Sequence, residues 1–371
     1  MKVSSNQGLC HTVGILLFAL MAWGSSGCNV NLRQLVANEN ETACKKGRAV
    51  ACLTAGVIYY TGKGVETDYK KALHFFRRAC DGRLGSACYN AATLLRKQAQ
   101  GNITPAALHF LRRSCFLRDP DGCSELGIAY RRDAPRAAQL FARACRAGGL
   151  LGCHNLAELT RRGDGVRRNR VKALAMFEAL CDKGLAIACV SQGMMLESRR
   201  SGLRNRPVAT RLFELGCKKN LMVGCYRLGL SLRRLNPKRA FALLGRACQA
   251  KIGGACVARG EMALKGITGK PDRAAAVGHF ESACQLKHGR GCYMAALTHL
   301  RKVNPTTLLK ATYFLDRGCH LKHYRSCYLL GSHYHRGLGV KKDPTRALKL
   351  FRKACQGQVE DACLRLINPP L

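Results

Sequence analysis

The chain has 371 residues and a formal net charge of +40, from 62 Lys and Arg against 22 Asp and Glu. Its hydrophobic fraction of 47% is sufficient to bury a core, which excludes a wholly disordered chain. With 10 Pro and 6% aromatic residues it is also unlike collagen or low-complexity sequence, and its 22 Cys are the unusual feature.

The first segment of the chain, residues 1–27, has the features of an export signal. It carries one charge, at Lys2, and then an apolar run of eleven residues over 13–23, which is too short to span a bilayer. Cys28 follows Ser-Ser-Gly, as the lipid-modified cysteine does in the bacterial lipobox, although Ser25 stands where that pattern usually has Leu. We therefore predict a signal peptide over 1–27, export to the periplasm or outer surface, and lipidation of Cys28, with an unpaired thiol as the alternative.

The next residues, 28–43, are predicted to be an N-terminal linker, and residues 44–371 a repeat array. Apart from Cys10 and Cys28, the cysteines form pairs whose members are eight residues apart, and successive pairs are 30 to 36 residues apart. A period in this range is typical of solenoids of helical repeats. The pairs are Cys44 and Cys52, Cys80 and Cys88, Cys115 and Cys123, Cys145 and Cys153, Cys181 and Cys189, Cys217 and Cys225, Cys248 and Cys256, Cys284 and Cys292, Cys319 and Cys327, and Cys355 and Cys363.

Each repeat is predicted to be a helical hairpin. From the second pair onward, Ala and a Phe or Leu residue precede each first Cys at helical spacing, as Ala72 and Phe76 do, and form one stripe of a helix that we name helix B. In all pairs but the last, a small residue four positions after the second Cys, such as Gly56, lets another helix, named helix A, approach closely. Gly-x-Gly-Val turns and Asp or Asn caps separate the two helices. Repeats 115–144 and 217–247 lack that turn and are predicted to have shorter ones.

The eight-residue spacing favours a disulfide within every pair. On one continuous helix the two sulfurs would lie about 12 Å apart along the axis, which is too far to bond. If the first Cys ends helix B and the second begins the next helix A, their Cα atoms can meet within about 6 Å. In the turn after Cys80, Gly82 is expected to be the left-handed residue that ends the helix. Zinc is the alternative, but zinc-binding pairs are about two to four residues apart.

These residues resemble Sel-1-like repeats, which are relatives of tetratricopeptide repeats. The best matches run from Ala51 to Phe76 and from Cys327 to Phe351, each with a Gly-x-Gly-Val turn. The cysteine pairs make the chain similar to the bacterial Hcp family of secreted cysteine-rich proteins, whose members carry the label beta-lactamase. The resemblance spans residues 44–367. It implies an all-α fold, a right-handed α/α superhelical solenoid of about nine to ten disulfide-stapled helix-pair repeats, with helices A lining a concave binding face.

Catalytic residues are not identified by the sequence. The Hcp resemblance implies penicillin binding and slow beta-lactam hydrolysis, yet the chain has no Ser-x-x-Lys, Ser-Asp-Asn or Lys-Thr-Gly motif. The nearest approach to a metal motif is His333-Tyr-His335, but residues two apart on a helix face different directions. His320 and His323 lie in a turn between repeats and are expected to be solvated. We predict no metal and no cofactor.

Two asparagines shortly after a second Cys, Asn90 and Asn155, are candidate ligand contacts, because tetratricopeptide relatives hold a bound peptide with an Asn on helix A. The basic residues are spread over every repeat, which favours anionic partners, and no basic motif interleaved with aromatic residues predicts nucleic-acid binding.

We therefore predict a scaffold in the bacterial envelope that binds proteins, peptides, muropeptide-like or other anionic ligands. It would touch the membrane only through the predicted lipid anchor. A slow beta-lactamase is the alternative, and a respiratory-chain assembly factor that shares the cysteine frame is a further one.

Overall fold

The computed structural model describes residues 28–198, 202–267, 269–301 and 304–367. The predicted signal peptide, residues 1–27, lies outside the described residues. Within them all regular structure is helical, which confirms the predicted fold class. The chain divides into two compact units, the first ending at Lys183 and the second beginning at Gly184.

In its described residues the first unit has nine helices, each packed against the next along the chain. They are α1 (Cys28–Lys45), α2 (Ala49–Thr61), α3 (Tyr69–Asp81), α4 (Gly85–Gln98), α5 (Pro105–Phe116), α6 (Pro120–Ala129), α7 (Ala134–Arg146), α8 (Leu150–Arg162) and α9 (Arg170–Asp182). After α1, each even-numbered helix is a helix A and the following odd-numbered helix is its helix B.

The second unit continues this alternation in a solenoid-like series of hairpins. Its described helices are α10 (Ala186–Glu197), α11 (Arg206–Lys218), α12 (Met222–Leu232), α13 (Pro237–Gln249), α14 (Gly253–Leu264), α15 (Arg273–Gln285), α16 (Gly289–His299), α17 (Pro305–His320), α18 (Tyr324–Arg336), α19 (Pro344–Gln356) and α20 (Glu360–Ile367). Within each hairpin helix A packs on helix B, and the last helix, α20, packs on α19.

Helix α1 occupies the segment that the sequence suggested as a linker, residues 28–43. Ala37 and Cys44 are seven residues apart, so they lie on one face of α1, and both are fully buried. Across the contact with α2, the hydroxyl of buried Tyr59 donates a hydrogen bond to the carboxylate of Glu41. The pKa of Tyr59 is raised to about 12, mainly by burial and next by this carboxylate. Cys28 is the first residue of α1, and its lipidation stays a prediction.

All twenty cysteines of the ten pairs are disulfide-bonded, Cys181 and Cys189 among them. In nine of the bridges the two Cα atoms are 4.4 to 4.8 Å apart. The first Cys is in the last turn of one helix and the second is in the first turn of the next. Most of these bridges therefore join consecutive hairpins. The first bridge joins α1 to the hairpin that follows it, and the last joins α20 to the hairpin that precedes it. The nine bridges join Cys44 to Cys52, Cys80 to Cys88, Cys115 to Cys123, Cys145 to Cys153, Cys217 to Cys225, Cys248 to Cys256, Cys284 to Cys292, Cys319 to Cys327 and Cys355 to Cys363.

The left-handed residue of the inter-repeat turn is not Gly82, and that expectation was wrong. Gly82 follows the last residue of α3 with a φ of −71°, and its N–H still bonds the carbonyl of Arg78. Arg83, the next residue, has the positive φ of 64°. Gly82 is needed for a close approach instead, since an added Cβ would lie 2.5 Å from Cβ of Ala49. The same position, three residues after each first Cys, has a positive φ throughout: Gly47, Arg83, Arg118, Gly148, Gly184, Asn220, Lys251, Lys287, Lys322 and Gln358.

The turns from helix A to helix B end in side-chain caps, as predicted. In each case an Asp, Asn or Thr oxygen accepts a hydrogen bond from the backbone N–H three residues later, which satisfies a donor that the helix itself leaves free. The capping residues are Asp68, Thr104, Asp133, Asn169, Asn205, Asn236, Asp272, Asn304 and Asp343.

Candidate binding site

The length of the turn from helix A to helix B varies along the chain. It is four residues in repeats 115–144 and 217–247, at 130–133 and 233–236, which confirms the predicted shortening. In the hairpins on either side of the second short turn, eight residues separate the two helices, 198–205 and 265–272. Residues of this short turn line a depression in the surface of the second unit.

This depression is a cleft of about 990 Å³, which we name the basic cleft. Its walls come from the end of α10, the first turns of α11, the end of α12 and the residues after α14. Five of its lining residues are cationic and one is acidic. The lining consists of Glu197, Arg206, Pro207, Ala209, Thr210, Arg211, Leu230, Ser231, Arg233, Arg234, Leu235, Lys265 and Ile267.

Two charged groups of the basic cleft are already paired. Nη1 of Arg233 lies 3.4 Å from Oε2 of Glu261, and Oε2 of Glu197 lies 3.6 Å from Nη1 of Arg227. The other four cations are exposed and form no ion pair with a carboxylate in the described part of the chain. They are Arg206, Arg211, Arg234 and Lys265.

Some of these cations have a structural explanation, because they stabilise the C-terminal ends of helices. Arg233, Arg234 and Lys265 directly follow the last residues of α12 and α14, where the helix dipole is negative. Such a contact is worth about 0.3–1 kcal/mol, but it does not neutralise the guanidinium or ammonium charge. The basic cleft therefore attracts anions even after this stabilising role is taken into account.

Apolar surface lies among these cations. Leu235, in the short turn, is 80% exposed, and Ile267, after α14, is 39% exposed. Leu230 and Pro207 complete the apolar part of the wall. The cleft thus combines unpaired positive charge with side chains that would lose contact with water if an apolar group entered.

The two candidate asparagines occupy different environments in the first unit. Asn90 on α4 is only 1% exposed, and its amide nitrogen has no hydrogen-bond partner among the described residues. Its side chain is out of reach of a ligand on the surface. Asn155 on α8 is half-buried and hydrogen-bonds the neighbouring ring of His154, so it is the more accessible of the two. Neither lines the basic cleft.

The histidines considered as metal ligands are held by other contacts. His333 on α18 is buried, with Nδ1 2.8 Å from Oγ1 of Thr312, and burial lowers its pKa. Nδ1 of His323 lies 2.9 Å from Oγ of Ser326, while His320 is exposed. Among the described residues no group of three or more His, Cys, Asp or Glu is arranged to hold a metal ion.

The sequence alone did not single out the basic cleft. The shortened repeat 217–247 was the available signal, and its turn carries Arg233 and Arg234. The other shortened turn also carries two arginines, Arg131 and Arg132, so the pair by itself does not mark a site. What distinguishes 233–236 is the presence of α11 and of the α14–α15 turn beside it, which is a tertiary feature.

Comparisons with known proteins agree with this architecture. A family model described as the Sel1 repeat matches residues 49–83, 123–149, 150–185, 212–251, 254–288 and 325–358, more than half of the chain. No curated protein matches the chain. A solved Sel1 repeat protein from Oxalobacter formigenes is 18% identical with a TM-score of 0.56, covering 94% of this chain and 95% of its own.

A protective antigen of uropathogenic Escherichia coli strains, described as displaying an SLR fold, is also 18% identical with a TM-score of 0.56. The similarity covers 89% of this chain and 81% of the antigen. At these identities the two likenesses concern the fold alone.

Proposed function

This chain belongs to the Sel1 repeat family, and on that premise we propose that it is a non-enzymatic scaffold of the bacterial envelope that binds an anionic protein, peptide or muropeptide-like ligand. Helical repeat solenoids present extended surfaces on which partners bind. The observation that carries the proposal is the basic cleft, with four cations that have no carboxylate partner in the described residues.

The disulfides indicate that the protein folds in an oxidising compartment, because such bridges are rare where cellular thiols are kept reduced. None of the described helices has the length and apolar content required to cross a bilayer. We propose export through the signal over 1–27 and a lipid anchor at Cys28. Intact mass spectrometry of the exported protein tests both, since acylation adds a lipid mass to a chain that begins at Cys28.

The binding proposal is tested with two charge-reversed variants. The cleft variant carries Arg211→Glu and Arg234→Glu, and the control variant carries Arg131→Glu and Arg132→Glu in the other short turn, with the same change in net charge. We expect an envelope protein or cell-wall fragment that the exported wild type and the control variant retain and the cleft variant loses. Equal retention by all three, or equal loss by both variants, would contradict the proposal.

Slow beta-lactam hydrolysis, which the Hcp resemblance implies, is the competing function. The sequence supplies none of the serine-enzyme motifs for it. Turnover of a beta-lactam by the oxidised protein is compared with turnover after reduction and alkylation. Saturable hydrolysis that is lost with the bridges and abolished by one point substitution would replace the scaffold proposal with an enzyme.

A further inference from the structure

We infer that the basic cleft binds an acidic peptide segment that carries a large apolar side chain. This inference rests on the proposed scaffold function and specifies its ligand. It follows from three properties of the cleft: its unpaired cations, its exposed apolar side chains and its hydrogen-bonding hydroxyls.

The exposed cations without an ion pair are available to an anion from outside the unit. The carboxylate that lines the cleft is already engaged, since Glu197 pairs with Arg227 at 3.6 Å. Glu261, which pairs with Arg233 of the cleft, also pairs with Arg290 at 2.6 Å. Arg211 and Arg234 are therefore free to receive a ligand's carboxylates. Guanidinium groups bind carboxylates in a bidentate geometry, which gives a peptide with Asp or Glu a defined register.

The apolar side chains select against a simple inorganic anion. Leu235 is 80% exposed and follows Arg234 in the chain, and Ile267 lines the same cleft. A phosphate ion would leave both side chains in water, whereas a leucine-sized side chain would bury them. Burying such a side chain contributes about 1.5–3 kcal/mol, which is enough to distinguish two peptides of equal charge.

The hydroxyls of the cleft can accept hydrogen bonds from a peptide backbone. Thr210 donates its hydroxyl hydrogen to the carbonyl of Arg206, and Ser231 donates to the carbonyl of Arg227. Each hydroxyl has one hydrogen and two acceptor positions, so both are left as acceptors. The N–H groups of a peptide backbone can serve as donors to both hydroxyls.

The test uses fluorescein-labelled synthetic peptides and measures fluorescence anisotropy with the full exported protein at physiological salt. The probe peptide alternates Asp and Glu with two central leucines, and its matched peptide has serines in place of the leucines. We expect the leucine peptide to bind about fivefold or more tightly than the serine peptide. The cleft variant should weaken binding of the leucine peptide about tenfold, and the control variant less than twofold.

A third variant, Leu235→Ser, separates the apolar contact from the charges. It should remove the preference for leucine while binding of the serine peptide stays unchanged. Equal affinity for both peptides, or equal weakening by the control variant, would show a non-specific polycation and overturn the inference. So would tenfold weaker binding of phosphatidylglycerol vesicles by the cleft variant with unchanged peptide binding, which would assign the cleft to lipid.

The proposed function can survive failure of this inference. If the peptides bind without discrimination but the cleft variant still loses its envelope partner, the scaffold function stands and only the ligand class is wrong. If the cleft variant also retains every partner, both fail.

Discussion

Gly56 of α2 lies directly against the ring of Phe76 of α3, so that an added Cβ would be 2.5 Å from Cδ1 of Phe76. Real Cβ atoms do not approach a ring so closely, and this contact sets the distance between helices A and B. The same relationship joins helix A to helix B in four other hairpins, with closest distances of 2.6 to 2.7 Å: Gly127 with Phe141, Gly193 with Phe213, Gly260 with Phe280 and Gly331 with Phe351.

Replacement of Gly56 by Ala is therefore expected to lower the free energy of unfolding by about 1–3 kcal/mol, since the ring or the helix must shift. Gly278→Ala is the control, because an added Cβ at this exposed position of α15 meets nothing within 4 Å. That change should raise stability by about 0.5–1 kcal/mol through helix propensity. Urea unfolding followed by circular dichroism measures both, and equal midpoints for the two variants would contradict the contact.

The left-handed residues of the inter-repeat turns predict opposite effects at two positions. Gly148 has a φ of 84° with no atom within 4 Å of an added Cβ, so Gly148→Ala should cost about 1 kcal/mol from backbone strain alone. Lys287 has a φ of 57°. Lys287→Gly relieves that strain but adds freedom to the unfolded chain, so a gain below about 1 kcal/mol is expected. Thermal unfolding checks the signs, and a loss at Lys287 would show that its side chain has a role.

Five histidines that are buried or half-buried predict that the protein loses stability in mild acid. Burial lowers the pKa of each below its ordinary value near 6.5, so above about pH 6.5 both states are neutral and the stability is fully present. As pH falls below that value the unfolded chain takes up protons first, and stability is lost until the folded pKa is reached. The histidines are His154, His279, His288, His323 and His333.

The matching experiment compares urea midpoints at pH 7.5 and 5.5. His333→Gln keeps a polar group near Thr312 but does not titrate, so its midpoint should fall less than that of the wild type. The exposed His320 is the control, and His320→Gln should follow the wild type. A wild-type midpoint that is the same at both pH values would refute the prediction.

The contact between Tyr59 and Glu41 predicts how α1 is held on α2. Tyr59→Phe removes the hydroxyl and leaves the ring in place, so α1 should open more often while later hairpins are unaffected. Hydrogen exchange of residues 34–45 should be about fivefold faster or more, since a hydrogen bond to a charged group contributes about 1.5–3 kcal/mol. Unchanged exchange in this segment would mean that burial of Ala37 and Cys44 suffices.

Local signals in the sequence predicted much of the fold. The stripe of Ala72, Phe76 and Cys80 repeats at helical spacing, and the caps are short-range chemistry, so both are readable from one repeat. The helix over the segment 28–43 was missed because its buried face depends on α2. The burial of Asn90 was missed because the side chain at this position, two residues after a Cys on helix A, can face either a neighbouring helix or solvent.

The sequence by itself determined the helical hairpins, the cysteine pairs and the two short turns, because each depends on residues close together in the chain. Only the tertiary structure decided that the turn at 233–236 lies between two longer turns and that the charges of Arg206, Arg211 and Lys265 converge there with Leu235. The physical reason is that a cleft is formed by residues from different hairpins. Their charges act together only after packing has brought these hairpins side by side.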